Sequence, residues 1–306
     1  MEEIETTINY DYKFLKLIGS GTYGDTFLVK RIPKNTTVTT VTTVKPILVV
    51  VKKYKEKWGI DEFKIEAKAL EHLSKLNNDI CNKYAVCYID HYFFNEKPRL
   101  VMEYIEGPTL TDLLAKNLQQ RLNNIEIMRY LIIGLDELHN NGILHQDIKQ
   151  GNIIYDINNN IYRYIDWGAG CLKEYCKEKC KKPCGFIGAK YTTPPELNID
   201  QRYNDISFQE IRAHDIWSLG IVLYDWYTIK NDITKEPVQM LVEAHFNTSP
   251  SIVLKNDDLR NLTQDKINHR ISSINNDLTQ KILKLMLRIN WKERITNWPN
   301  IIKTIT

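Results

Sequence analysis

The chain has 306 residues, a formal net charge of +3 and 43% hydrophobic residues. That length suffices for one large domain or two lobes with a true core, and the small charge gives no argument for nucleic acid or a membrane surface as the main partner. No apolar run approaches the roughly 18–20 residues of a membrane helix, and the opening MEEIETTINY is acidic and polar, without the basic start and apolar stretch of a secretory signal. A cytoplasmic or nuclear protein, not a secreted one, is therefore expected. Six cysteines in such a chain imply free thiols in a reducing compartment.

In chain order, Tyr12–Ile18, Thr26–Ile32 and Ile47–Val51 read as strands, the last as a buried one. The Thr/Val stretch Pro33–Pro46 suits either a hairpin extension of the sheet or a loop. Between the first two strands lies Gly19-Ser20-Gly21-Thr22-Tyr23-Gly24. Glycines there let a backbone approach phosphates closely. The same pattern opens dinucleotide-binding folds, where a helix follows; here a strand follows, which predicts a hairpin over phosphates. A glycine-rich turn without a ligand is the plain alternative. Lys52 ends the third strand and can set its ammonium on phosphate oxygens, whereas alternation sends Lys53 to the other face.

Asp61–Leu76 changes period: Phe63, Ala67, Leu70 and Leu73 fall at helical spacing, with Asp61 as the expected N-cap. Glu66 on this helix can pair with Lys52, or be surface charge like Glu62 and Glu71. Strands return at Tyr88–Phe94 and Arg99–Tyr104, and Gly107-Pro108 breaks the pattern. Helices follow: Ile125–Asn140, striped by Ile125, Met128, Ile132, Leu135 and Leu138 and stopped by Gly142; Ile216–Tyr227, apolar almost all round and so buried; and Gln280–Leu287. A strand-rich segment with one helix, a break, then a helix-rich segment predicts an α+β fold in two lobes.

The most specific pattern is His145-Gln146-Asp147-Ile148-Lys149-Gln150-Gly151-Asn152, followed fourteen residues after Asn152 by Asp166-Trp167-Gly168. Phosphoryl transfer needs a carboxylate to orient the attacking hydroxyl, a cation to offset charge on the transferred group, and oxygen donors to hold Mg²⁺ on the phosphates. Asp147, Lys149, Asn152 and Asp166 supply these parts in order.

H-x-D-x-K-x-x-N followed by D-x-G resembles the eukaryotic-type protein kinases of the Ser/Thr class, over about Tyr12 to Ile302. The resemblance implies a bilobal fold: an N-lobe over 1–102 with an antiparallel sheet and one helix, a hinge at 103–107, and a helix-rich C-lobe over 108–306. It implies ATP with Mg²⁺ (or Mn²⁺) and a protein substrate bearing the acceptor hydroxyl, and it leaves the oligomeric state open. By resemblance, Asp147 is the catalytic base, Lys149 stabilises the γ-phosphate, and Asn152 and Asp166 ligate the metal. The nucleotide would be held by Ile18, the Gly19–Gly24 loop, Thr26 and Lys52, with Lys52 chosen by the match of Val49-Val50-Val51-Lys52 to V-A-x-K and oriented by Glu66. Met102 would be the gatekeeper, with adenine on the backbone of Glu103 and Ile105. Pro194-Pro195-Glu196 resembles A-P-E, His214–Gly220 resembles the buried helix that anchors the catalytic loop, and Arg294 would pair with Glu196.

The sequence departs from the family at several points. Gln146 replaces the arginine that docks an activation-loop phosphate, so activation by loop phosphorylation loses its receptor. Trp167 replaces Phe, Thr26 replaces Val, and Ala189 stands where Ser/Thr kinases have Thr. Cys171, Cys176, Cys180 and Cys184, amid lysines, fit a zinc site, a reversible disulfide or plain thiols. A pseudokinase scaffold is a different-class alternative, and Ile165-Asp166-Trp167 also resembles aminoglycoside- or choline-type small-molecule kinases. The richness in Asn, Ile, Lys and Tyr is typical of AT-rich genomes such as those of giant viruses, in which case host cytoplasm is the expected location, and of some protists.

Overall fold

The computed structural model describes residues 3–21, 23–34, 45–55, 59–76, 79–116, 123–176, 192, 194–196, 207–229 and 263–306. The first hundred residues build a six-stranded antiparallel sheet in the order β1-β2-β3-β4-β6-β5. Its strands are β1 (Ile4–Thr6), β2 (Tyr10–Ser20), β3 (Gly24–Pro33), β4 (Ile47–Tyr54), β5 (Tyr88–Phe94) and β6 (Lys97–Glu103). One face buries Tyr12, Phe14, Val29, Val49, Val51, Tyr92 and Val101. Alternation selects these residues, since every second side chain of a strand shares a face.

The acidic opening segment is not merely polar. β1 pairs with β2, and Glu5 is buried, accepting from Arg99 Nη2 at 2.8 Å and from Tyr92 Oη at 2.8 Å. Burial alone would push Glu5 up, but the Arg99 and Tyr92 hydrogen bonds and the charges of Arg99 and Lys53 hold it below the usual carboxylate range. Tyr92, bonded to that carboxylate and buried, is pushed up.

Helix α1 spans Gly59–Lys75, so Asp61 lies inside the first turn and is not the N-cap; there its charge faces the positive end of the helix dipole. Its inner face buries Phe63, Glu66, Ala69, Leu70 and Leu73, while Ala67 is only half-buried. A short α2 (Ile80–Tyr84) ends at the extended Ala85, and the reversal brings Cys81 and Cys87 together as a disulfide with Cα atoms 5.0 Å apart. The expectation of free thiols therefore fails for this pair. Most of the Thr/Val stretch, residues 35–44, lies outside the described residues.

The chain divides into two compact units, Met1–Ile105 and Glu106–Thr306. The second opens at Gly107, where any Cβ would lie 1.8 Å from the Tyr155 carbonyl oxygen, so only glycine fits the break before Pro108. Helices α3 (Leu110–Ala115) and α4 (Asn124–Asn140) follow, then β7 (Ile143–Leu144), a 3₁₀ turn (Gln150–Asn152), the hairpin β8 (Ile153–Asp156) and β9 (Ile161–Tyr164), β10 (Cys171–Leu172) and α5 (Lys173–Cys176). Helix α6 (Phe208–Ile229) is buried from Ile211 to Tyr227 at every residue but Arg212. It starts eight residues before the expected Ile216 because Ser207 and Glu210 form a capping box: Ser207 Oγ accepts from Glu210 N, and Glu210 Oε2 accepts from Ser207 N. Helices α7 (Gln264–Ile271), α8 (Asp277–Met286) and α9 (Trp291–Ile305) complete this unit; α3, α5, α7 and α9 are additions to the elements expected from periodicity.

Candidate functional site

In the strand-built unit, β2 and β3 form a hairpin whose turn is closed by Gly21 N donating to Gly24 O at 2.9 Å. Ser20 Oγ donates to Asp25 Oδ1 at 2.6 Å, and Lys55 Nζ donates to Gly21 O at 2.7 Å. Gly24 has no alternative: a Cβ there would lie 2.5 Å from Lys53 O on the neighbouring strand. The strand after the loop removes the dinucleotide-fold reading, which requires a helix. Ile18 is exposed on β2, Tyr23 is half-buried, and Thr22 lies outside the described residues.

Lys52 stands on β4 opposite Thr26 on one side and Leu100 on the other. It is buried, and its Nζ donates to Glu66 Oε2 at 2.7 Å. Tyr54 Oη donates to the same oxygen at 2.7 Å. The motif reading missed Tyr54, though its position two residues beyond Lys52 places it on the same face of the strand. Lys53 takes the opposite face, over the Phe14 ring at 3.6 Å and paired with Glu3 at 2.5 Å. Met102 and Ile105 are buried and Glu103 is half-buried. Glu103 N donates to Cys87 O at 3.1 Å, and Glu103 Oε1 accepts from Cys87 N at 2.6 Å.

In the helical unit, the loop between β7 and the 3₁₀ turn gathers Asp147, Lys149 and Asn152. Asp147 Oδ2 accepts from Lys149 Nζ at 2.6 Å and from Asn152 Nδ2 at 2.9 Å, and Asn152 Nδ2 also donates to the Asp147 carbonyl at 2.9 Å. The β8–β9 hairpin explains the fourteen-residue gap. It returns the chain antiparallel, and Ile165 N donates to Asn152 O at 2.9 Å, which sets Asp166 next in line. Asp166 is exposed and has φ +61°, a left-handed backbone rare for a non-glycine residue.

Asp215 on α6 anchors this loop from seventy residues away. Its Oδ2 accepts from His145 N at 2.8 Å and from His139 Nε2 at 3.1 Å, and its Oδ1 accepts from Gln146 N at 2.8 Å. Burial pushes Asp215 up, but the His139 hydrogen bond and the nearby imidazoles outweigh it and hold the carboxyl below its usual range. Burial lowers His139, whose Nε2 donates to the Asp215 carboxylate. His145 is oriented by donating from Nε2 to Ile165 O at 3.0 Å and by packing on Trp167, ring centroids 4.6 Å apart. Trp167 is fully buried. Gln146 is also buried, with φ +63°, and its Nε2 donates to Ala169 O at 2.9 Å.

Arg294 on α9 pairs with Glu196, donates to the Arg288 carbonyl at 2.6 Å, and is pushed down to about 9 by burial. Of the cysteine-rich segment, Cys171 is buried in β10 and donates to Leu172 O at 3.6 Å. Cys180, Cys184 and Ala189 lie outside the described residues, as does the Cys176 side chain; among the described residues no group of three or more His, Cys, Asp or Glu is placed to hold a metal ion. No described helix is long and apolar enough to cross a membrane. His139 escaped the sequence reading because nothing in its local pattern distinguishes it from a surface histidine.

The chain matches the protein kinase domain model across residues 12–304 and belongs to that family. It is similar to serine/threonine-protein kinase ste20 of Aspergillus oryzae, 30% identical over 175 residues, which cover 57% of this chain and 19% of that protein. It is similar to a probable serine/threonine-protein kinase of Dictyostelium discoideum, 29% identical over 240 residues covering 71% of this chain and 46% of that protein. It is also similar to serine/threonine-protein kinase Nek5 of Homo sapiens, 28% identical over 242 residues covering 77% of this chain and 31% of that protein. The chain thus spans about a fifth of the length of the ste20 protein.

Proposed function

We propose that this chain transfers the γ-phosphoryl of ATP to serine or threonine hydroxyls of protein substrates. The observation that carries this reading is the Asp147 carboxylate, held by Lys149 Nζ and Asn152 Nδ2 in a loop anchored on Asp215. Asp147 orients the acceptor hydroxyl and takes its proton, and Lys149 offsets charge on the moving phosphoryl group. Lys149 and the Glu196–Arg294 pair both favour a protein over a small-molecule acceptor.

The donors suit Mg²⁺. Asn152 commits its Nδ2 to Asp147 and keeps its amide oxygen as a donor, and Asp166 adds an exposed carboxylate; hard oxygens are what Mg²⁺ takes. Bound there, Mg²⁺ would neutralise phosphate charge. Lys52, fixed by Glu66 and Tyr54, serves the nucleotide phosphates, as does the Gly19–Gly24 hairpin. Because Glu103 N is committed to Cys87 O, adenine would meet the carbonyl of Glu103 and the N–H of Ile105.

The test is labelling with Mg-ATP of the protein itself and of generic protein substrates, followed by phosphoamino-acid analysis. Phosphoserine or phosphothreonine that vanishes in Asp166→Asn is expected; no transfer by the wild type would overturn the reading. The neutral Gln146–Ala169 bond holds its segment without a phosphate. Phosphatase treatment is accordingly expected to leave the rate unchanged, and a collapse of activity would restore activation by phosphorylation.

A further inference from the structure

Within H-x-D-x-K-x-x-N, the first of the two residues before Asn152 is Gln150, and nothing in the chemistry above uses it. It is buried, and its Nε2 donates to Asp225 Oδ2 at 3.0 Å. Asp225 sits on α6, ten residues beyond Asp215, about 15 Å further along the axis at the α-helical rise. One helix thus grips the loop twice: Asp215 takes the backbone where the loop begins, and Asp225 takes the side chain of Gln150 where it ends.

The Gln150 end is the part that positions the chemistry. The turn is closed by Asn152 N donating to Lys149 O at 2.9 Å and by Ile153 N donating to Gln150 O. Lys149 and Asn152 flank Gln150, and both reach Asp147 Oδ2. We propose that Gln150 and Asp225 are a positioning pair that sets the Lys149–Asn152 turn, and through it the donors around Asp147. The proposal rests on the kinase reading of that site.

Asp225 is retained at a cost. Its side chain has a neutral amide as its hydrogen-bond partner among the described residues, and burial pushes its carboxyl up to about 7. The titratable neighbour of Asp225 on its own helix is Tyr224, which Arg270 on α7 also approaches. A carboxyl that a leucine could replace with less desolvation, yet tied to the catalytic loop, fits a functional role better than a stabilising one.

The experiment compares Asp225→Leu, Gln150→Met, the double variant and Asp225→Asn by steady-state kinetics and by hydrogen exchange over residues 149–153. Asp225→Leu and Gln150→Met are expected to lose about tenfold in kcat, with KM for ATP moving less than about twofold, because misplacement acts on the reacting geometry. The double variant should be no worse than either single one, since both remove one bond. Asp225→Asn, which still accepts from Gln150, should restore kcat and exchange protection. Unchanged protection over 149–153 in the Leu and Met variants overturns the pair whatever the activity. A fall in kcat that tracks a fall in melting temperature, with no rescue by Asn, reduces the pair to a packing contact and overturns the positioning role. Absence of phosphoryl transfer by the wild type would count against the functional reading and leave hydrogen exchange to decide the pair.

Discussion

The strand-built unit and the helical unit hold their chemical groups by different means. In the first, Lys52 is fixed through side chains: the Glu66 carboxylate on α1 and, through it, Tyr54. In the second, the loop that carries Asp147 is fixed largely through its backbone, with His145 N and Gln146 N both bonded to Asp215. A side-chain ion pair can be lost by shifting one helix, whereas backbone tethers to a buried carboxylate fail only with the surrounding fold. The difference teaches where activity and stability should separate: at Lys52 and Asp147 they can be uncoupled, and at Asp215 they cannot.

The largest expected effect tests the uncoupling at the loop. Asp147→Asn should lower kcat by about 10²–10⁴-fold, the usual weight of a positioned acid–base group, with little change in melting temperature. Next comes a contrast in stability. Lys52→Met takes the ammonium away from the buried Glu66 carboxylate and should cost about 3–5 kcal/mol in denaturant unfolding. Lys52→Met combined with Glu66→Leu should recover most of that stability and none of the activity. Asp215→Ala admits no such repair, because it orphans three N–H donors at about 1–3 kcal/mol each. A stable, inactive Asp215→Ala protein would break the comparison.

A pH measurement sharpens it further. Asp225 is raised to about 7, so between the ordinary carboxylate range and about 7 the folded protein holds a proton that the unfolded chain has released. Wild-type stability from this group therefore falls as pH rises through that window. Asp225→Asn should gain about 4 kcal/mol over wild type at pH 8, at about 1.4 kcal/mol for each tenfold change in proton affinity, and little at pH 4. An equal effect at both pH values would remove the charge from the explanation. The smallest effect lies in the strand-built unit: reduction of Cys81–Cys87, a pair only six residues apart, should cost about 2 kcal/mol by loop entropy, read as a lowered denaturant midpoint.

Much of this was legible along the chain. Local periodicity marked α1, α4 and the buried α6, and the alternation of β4 separated Lys52 from Lys53. The S-x-x-E signal at Ser207 was readable and would have placed the start of α6 correctly. By contrast, nothing in MEEIETTINY announced that Glu5 would be buried against Arg99, ninety-four residues away. The Cys81–Cys87 pair depends on a reversal at Ala85 that composition does not encode.

By itself, the sequence determined the family and the order of the groups proposed to transfer phosphate, because those groups sit at fixed short spacings and short spacings survive in one dimension. Tertiary structure alone decided the long-range polar partners. His139, Gln150 with Asp225, and Glu5 with Arg99 look like ordinary polar residues until the fold removes water from them and supplies their partners. Long-range burial, not local pattern, gives those residues their meaning.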